Sequence, residues 1–464
     1  MRDARASIKL AVALAPLPGA AAAHVSEQGF VLLLPTDLYI SGGVASVALT
    51  VLLLAVLPGA AAERLMRPLR LVRLPRPPLR HATSLAAALF LWALIWVGMT
   101  GPRDPLANPL PLFVWTVWWI GLVTVQGLLF DHWRFTSPFT GPAALARALT
   151  GLRAPLRYPR ALGHMPAMAG FLGFAAILLA DPAPADPDRL AGFVAVYWLI
   201  GMAGTLLFGP RWLLRAEWIT VLMRAYGRMP LLGRVRTRLA LGVPGWQVLS
   251  RPAVPLGLAA FILTMLAVGS FDGVNETFWW LGLIGINPLE FPGRSAVVVP
   301  TLTGLAVSVA ALFAVFTGTI WLGLRLARAS LPLGAAVRLF APSILPIALG
   351  YHIAHYLTAF MVDVQYAVAA ASDPLARGAD LLGLGTFYVT TGFFNTPDTV
   401  RVIWLSQAGA VVVGHILAIL AAHAQAVRVL GTGRRAALSQ APLAAFMVLY
   451  TLFGLWLLAA PRGA

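Results

Sequence analysis

The chain has 464 residues, 59% of them hydrophobic and only 11% charged, with a net charge of +17 and no cysteine. A soluble domain carries about a quarter charged residues, so there is too little polar surface here for a soluble protein of this length. The missing cysteines exclude disulfides, thiolate metal ligands and a cysteine nucleophile.

Residues 1–23 read as a signal peptide. Arg2, Arg5 and Lys9 precede a short apolar run at 10–17, Pro18 and Gly19 break it, and Ala21, Ala22 and Ala23 supply a small-residue cleavage pattern. Cleavage after Ala23 leaves His24 at the new N-terminus, outside the cytoplasm. An α-amine and an imidazole on one residue make a copper chelate, although an arbitrary residue after the cleavage site explains His24 as well.

Residues 24–464 form a single integral membrane domain with an all-α fold, a polytopic transmembrane helical bundle of about ten spans. The spans are expected at roughly 39–60, 82–100, 110–131, 161–180, 190–209, 253–270, 296–322, 342–362, 402–422 and 440–460. In lipid every backbone polar group must be satisfied internally, which makes these stretches helices. With the N-terminus out, the five cytoplasmic loops hold 25 of the 34 basic residues. That bias fixes the orientation, in a bacterial inner membrane, and explains the positive charge without nucleic acid. The bilayer is the expected partner, together with a small-molecule substrate or a transported solute.

Residues 211–228 read as an interfacial helix, with Arg211 and Arg215, then Arg224 and Arg228, paired at i, i+4 and Trp212, Leu214, Trp218, Leu222 and Tyr226 toward lipid. Asp131, His132, Trp133 and Arg134 read as an interfacial anchor. Just outside the sixth span, Asp272 and Glu276 share a face if that stretch is helical. They are candidates for a base or for hard-metal ligands, against the plainer reading of solvated acids at a helix end.

The eighth span carries the strongest signal. His352 lies near mid-depth, His355 one turn outward, and Asp363 returns to nearly the same face at the outer end. The ninth span adds His415. Ionisable groups at mid-membrane are costly and usually face an interior or a wet cavity. His352, His355 and His415 are therefore candidate ligands for a transition metal such as zinc, copper or iron, with Asp363, Asp272 or Glu276 as base or hydrogen-bonding support. The alternative is hydrogen bonding between helices, with Tyr351 and Tyr356 as partners. No Walker A motif, HExxH or GxSxG is present.

Several runs resemble a family of bacterial multi-pass membrane proteins named fenitrothion hydrolases. They are 351–356 (Tyr-His-Ile-Ala-His-Tyr), 372–375 with Gly378, Asp380 and Leu381, then Ile403-Trp404, Gly414-His415 and Ala422-His423. The resemblance implies hydrolysis of a phosphorothioate triester, a reaction suited to a metal-activated hydroxide. Three readings follow: a membrane-embedded metal-dependent hydrolase, a secondary transporter or metal-handling permease using the same histidines, and a structural membrane subunit.

Overall fold

The computed structural model describes residues 31, 33–56, 60–73, 79–151 and 153–462. The expected signal peptide and His24 lie outside them. Among the described residues, nine helical segments are long and apolar enough to cross a membrane. We number the helices used below α1 Thr36–Val56, α2 Arg80–Thr100, α3 Pro109–Leu128, α4 Met165–Ala180, α5 Pro187–Phe208, α6 Trp218–Tyr226, α7 Leu256–Asn275, α8 Arg294–Leu326, α9 Leu345–Ser372, α10 Pro397–Leu430 and α11 Arg434–Ala459. The protein is thus a polytopic α-helical membrane protein.

The expected fourth span is α4, which has only 16 residues. At 1.5 Å per residue it reaches about 24 Å, short of a hydrocarbon core about 30 Å thick. Its start is set late, because Gly163 turns with φ +50° and Pro166 occupies the first turn. The centre of the bundle is α7 and α9. The apolar stretches of α7 and of Leu333–Ser372, which ends in α9, are 72% buried, against 11% for α1. Outward-facing apolar side chains such as Leu52, Trp96, Val299 and Leu449 then meet lipid rather than water.

Three features depart from expectation. A three-stranded antiparallel sheet, β1 Leu69–Arg73, β2 Leu232–Val235 and β3 Arg238–Leu241 in the order β1-β3-β2, ties two of the basic loops together. Its hairpin turns at Arg236, with φ +56°, as a two-residue turn between twisted strands demands. Secondly, 211–228 is not one helix lying toward lipid. It breaks at Glu217, whose carboxylate accepts the amides of Ile219 and Thr220 and so starts α6. The apolar face of α6 turns inward, leaving Trp218, Leu222 and Tyr226 6%, 1% and 5% exposed. Thirdly, α9 continues ten residues beyond the expected end at 362 and takes Asp363 into the helix.

Candidate functional site

The crossing of α9 and α10 is built on two glycines. A Cβ on Gly350 would strike the carbonyl oxygen of Ala410, and one on Gly414 would meet that of Pro346. Small residues let membrane helices approach backbone to backbone. The close crossing leaves His352 and His415, which follow these glycines, buried at 6% and 2% exposure.

On the other side of α9 stands α3, whose middle section, Leu112–Leu122, is a π-helix of 11 residues. Such wide turns are rare and often sit at functional sites. This one presents Trp119 edge-on to His352, with ring centroids 5.1 Å apart. His352 also lies against the backbone of Trp119 and Ile120.

The third wall is α7. Its Asp272 is buried at 6% exposure, so the reading of a solvated acid is corrected. Gly273, Asn275 and Thr277 sit here as turn residues do, yet the helix runs on to Asn275 and carries the carboxylate into the interior. His355 Nε2 lies 3.2 Å from Asp272 Oδ2, and both side chains are less than a tenth exposed. The Tyr356 hydroxyl donates to the same oxygen. A carboxylate facing Nε2 places a proton on that nitrogen, which leaves Nδ1 as the ring's other functional position.

Tyr351, His352, His355, Tyr356, Asp272 and Trp119 line one small cavity of about 20 Å³. That is room for a single water. Four polar atoms of these residues, Trp119 Nε1, Tyr351 Oη, His352 Nε2 and His355 Nδ1, are buried without a hydrogen-bond partner. Buried polar groups are nearly always paired, so four orphans around one cavity mark a place built for something polar.

The remaining candidates lie elsewhere. His415 is turned toward α11, with Nδ1 2.9 Å from Val411 O and its ring 6.3 Å from that of Tyr450. It does not line the cavity. Glu276 closes α7, is 43% exposed and meets Arg462 at 3.9 Å. Asp363 follows His355 by eight residues, about 12 Å along α9, and is likewise outside the cavity lining. Among the described residues no three His, Asp or Glu side chains are grouped to hold a metal ion. The expected set of His352, His355 and His415 is therefore not brought together, because residues on two crossing helices face different neighbours. Trp119 and its π-turn were not anticipated. Only the tryptophan-rich run at 115–119, flanked by Pro109 and Pro111, hinted at an unusual helix.

The resembling run at 372–381 is explained by local structure. Asp373 accepts the amides of Arg377 and Gly378, and Asp380 accepts those of Leu384 and Gly385 and the Ser372 hydroxyl. Two carboxylates thus scaffold the loop after α9. Those amides hold both carboxyls below the usual carboxylate range.

Fold and site together define a multi-pass helical membrane protein with an ionisable core of Asp, His and Tyr. Comparison with protein-family models, with curated proteins and with solved structures finds no match.

Proposed function

We propose that this protein is a secondary transporter whose coupling proton is carried by Asp272, His355, Tyr356 and His352. The observation that carries the reading is the buried Asp272–His355 pair at 3.2 Å, beside a water-sized cavity with four unpaired polar atoms. Intramembrane Asp and His pairs of this kind are what proton relays in carriers are made of. With one labile proton the pair is neutral, whether that proton sits on Asp272 Oδ2 or on His355. Losing it leaves a bare negative charge in a low-dielectric interior, which costs several kcal/mol unless a cation replaces it. That asymmetry is the physical basis for exchanging a proton against a solute. Tyr356 holds the carboxylate in place. Glu276 and Arg462 pair at the end of α7, outside this relay.

Proteoliposomes loaded with a pH-reporting dye test this. A panel of cationic, anionic and neutral solutes is added outside, and one class is expected to move protons in wild type and not in Asp272→Asn. Equal proton movement in wild type and in Asp272→Asn would refute it.

A second reading, the metal-dependent hydrolase of the resembling family, draws on a specific feature. An imidazole backed by a carboxylate, as His355 is by Asp272, is the usual arrangement of a metal-binding histidine. His355 Nδ1 and His352 Nε2 are both unpartnered. A catalytic zinc takes three protein ligands, and this pair falls one short. Elemental analysis of purified protein beside His352→Ala distinguishes the readings. Stoichiometric zinc, copper or iron that is lost in the variant would favour the hydrolase.

A further inference from the structure

A second, much larger cavity of about 660 Å³ lies between α2, α3, α4, α5 and α6. Small-molecule pockets run about 300–1,000 Å³, so its size suits a ligand rather than a packing fault. It is separated from the Asp272 cluster by aromatic rings. Trp118 and Phe174 line the large cavity, and Trp119 and Phe171 line the small one. The Trp119 and Phe174 centroids are 4.8 Å apart.

The lining has an unusual composition. Twelve of its 29 residues are aromatic, and a single one, Glu217, is charged. Glu217 is 2% exposed. Its carboxylate takes the amides of Ile219 and Thr220 at 2.9 and 2.8 Å and the hydroxyl of Tyr197. Among the described residues no basic side chain forms an ion pair with it. In a chain with 34 basic and 17 acidic residues, the one such side chain lining this cavity is acidic and has no cation partner among the described residues. Around it, Trp218 packs against Phe174 at 4.8 Å, Tyr197 at 5.8 Å and Trp118 at 5.9 Å. Aromatic faces attract cations, most strongly where water is excluded. Water would find almost no polar partners along these walls.

We infer that this cavity binds a lipophilic cation, an apolar molecule bearing an ammonium or phosphonium charge, with Glu217 as counter-ion and Trp118, Phe174, Tyr197 and Trp218 as the aromatic surround. The inference names the solute class for the carrier proposed above and rests on that reading for its role, but binding is measured without transport.

The probe is tetraphenylphosphonium, compared with neutral triphenylphosphine oxide, by equilibrium dialysis on the full chain in nanodiscs of zwitterionic lipid. Saturable binding of the cation is expected, at least about tenfold tighter than that of the neutral molecule. Glu217→Gln should abolish that preference. Because Glu217 also starts α6, a second variant guards against misfolding. A Cβ at Gly173 meets nothing within 4 Å, and Gly173 lines the cavity. Gly173→Leu therefore fills the space without a backbone clash and should lose binding of both probes. Asp272→Asn should keep cation binding, which separates failure of the proton cluster from failure of this cavity. Equal binding of the cation and the neutral probe, or no saturable binding in wild type, would overturn the inference.

Discussion

His355→Ala leaves the Asp272 carboxylate with Tyr356 as its only polar side-chain partner of the two now present. Both members of the pair are buried, at 7% and 8% side-chain exposure, so little solvent screens the loss. Removing one partner of such a pair costs about 3–5 kcal/mol, mostly from the charge left behind. In an Asp272→Asn background there is no charge to strand. The same histidine deletion there should cost only about 1–2 kcal/mol, for a neutral hydrogen bond and lost contacts. The two substitutions should then show a coupling of about 2 kcal/mol or more in a double-variant cycle, read by denaturant unfolding of the detergent-solubilised protein through tryptophan fluorescence. Additivity within about 0.5 kcal/mol is normal for independent sites. Such a result would mean that His355 and Asp272 do not act as a pair, and the relay argument would fall with it.

Other consequences follow from the same geometry. Gly350→Val should force α9 and α10 apart at a backbone contact, at a cost of about 1–3 kcal/mol or more; unchanged thermal stability would show that the crossing is looser than described. Glu276→Gln removes a half-exposed partner of Arg462 and should change stability by less than about 1 kcal/mol, with proton movement retained, so a dead variant would move Glu276 into the machinery. The loop after α9 has a definite pH dependence. Its amides hold the carboxyls of Asp373 and Asp380 below the ordinary value of 3.8, so their support is complete above that value and is lost as pH falls through the lowered range. Pepsin should cut at 373–385 only toward the acidic end of its range, and Asp380→Asn should be cut at higher pH than wild type. Cleavage independent of pH would refute the scaffold.

Much of the bundle was legible because lipid imposes a simple rule. A helix that must bury its own backbone and show an apolar surface needs about 20 apolar residues, and stretches such as 39–60 and 190–209 satisfy it on sight. Helix ends were less readable. Asp363 and Gln365 look like loop residues, yet α9 runs through both; Gln365 is held by the backbone of Thr390 and Met361. Residues 211–228 failed differently. The amphipathic pattern was real, but periodicity does not say whether an apolar face meets lipid or protein, and here it meets α4, α7 and α9.

The same limit applies to the site. Spacing put His352 and His355 on neighbouring faces of one helix, and both border the cavity. Nothing in the spacing gives the rotation of α10, which turns His415 away from the cavity that the other two line. Asp272 was noticed as an acid beside turn residues, and its burial depended on the packing of α7 against α9 and α11, which no local pattern encodes.

On the proposed function, Asp272 holds an exchangeable proton inside the bundle. Infrared difference spectroscopy of the protein in liposomes, stepped between acidic and alkaline pH, reads that proton directly as a carboxyl band. Wild type should show a protonated-carboxyl signal that disappears in Asp272→Asn, shifts in Tyr356→Phe and persists in Asp373→Asn. An identical signal in Asp272→Asn and in wild type would contradict the account.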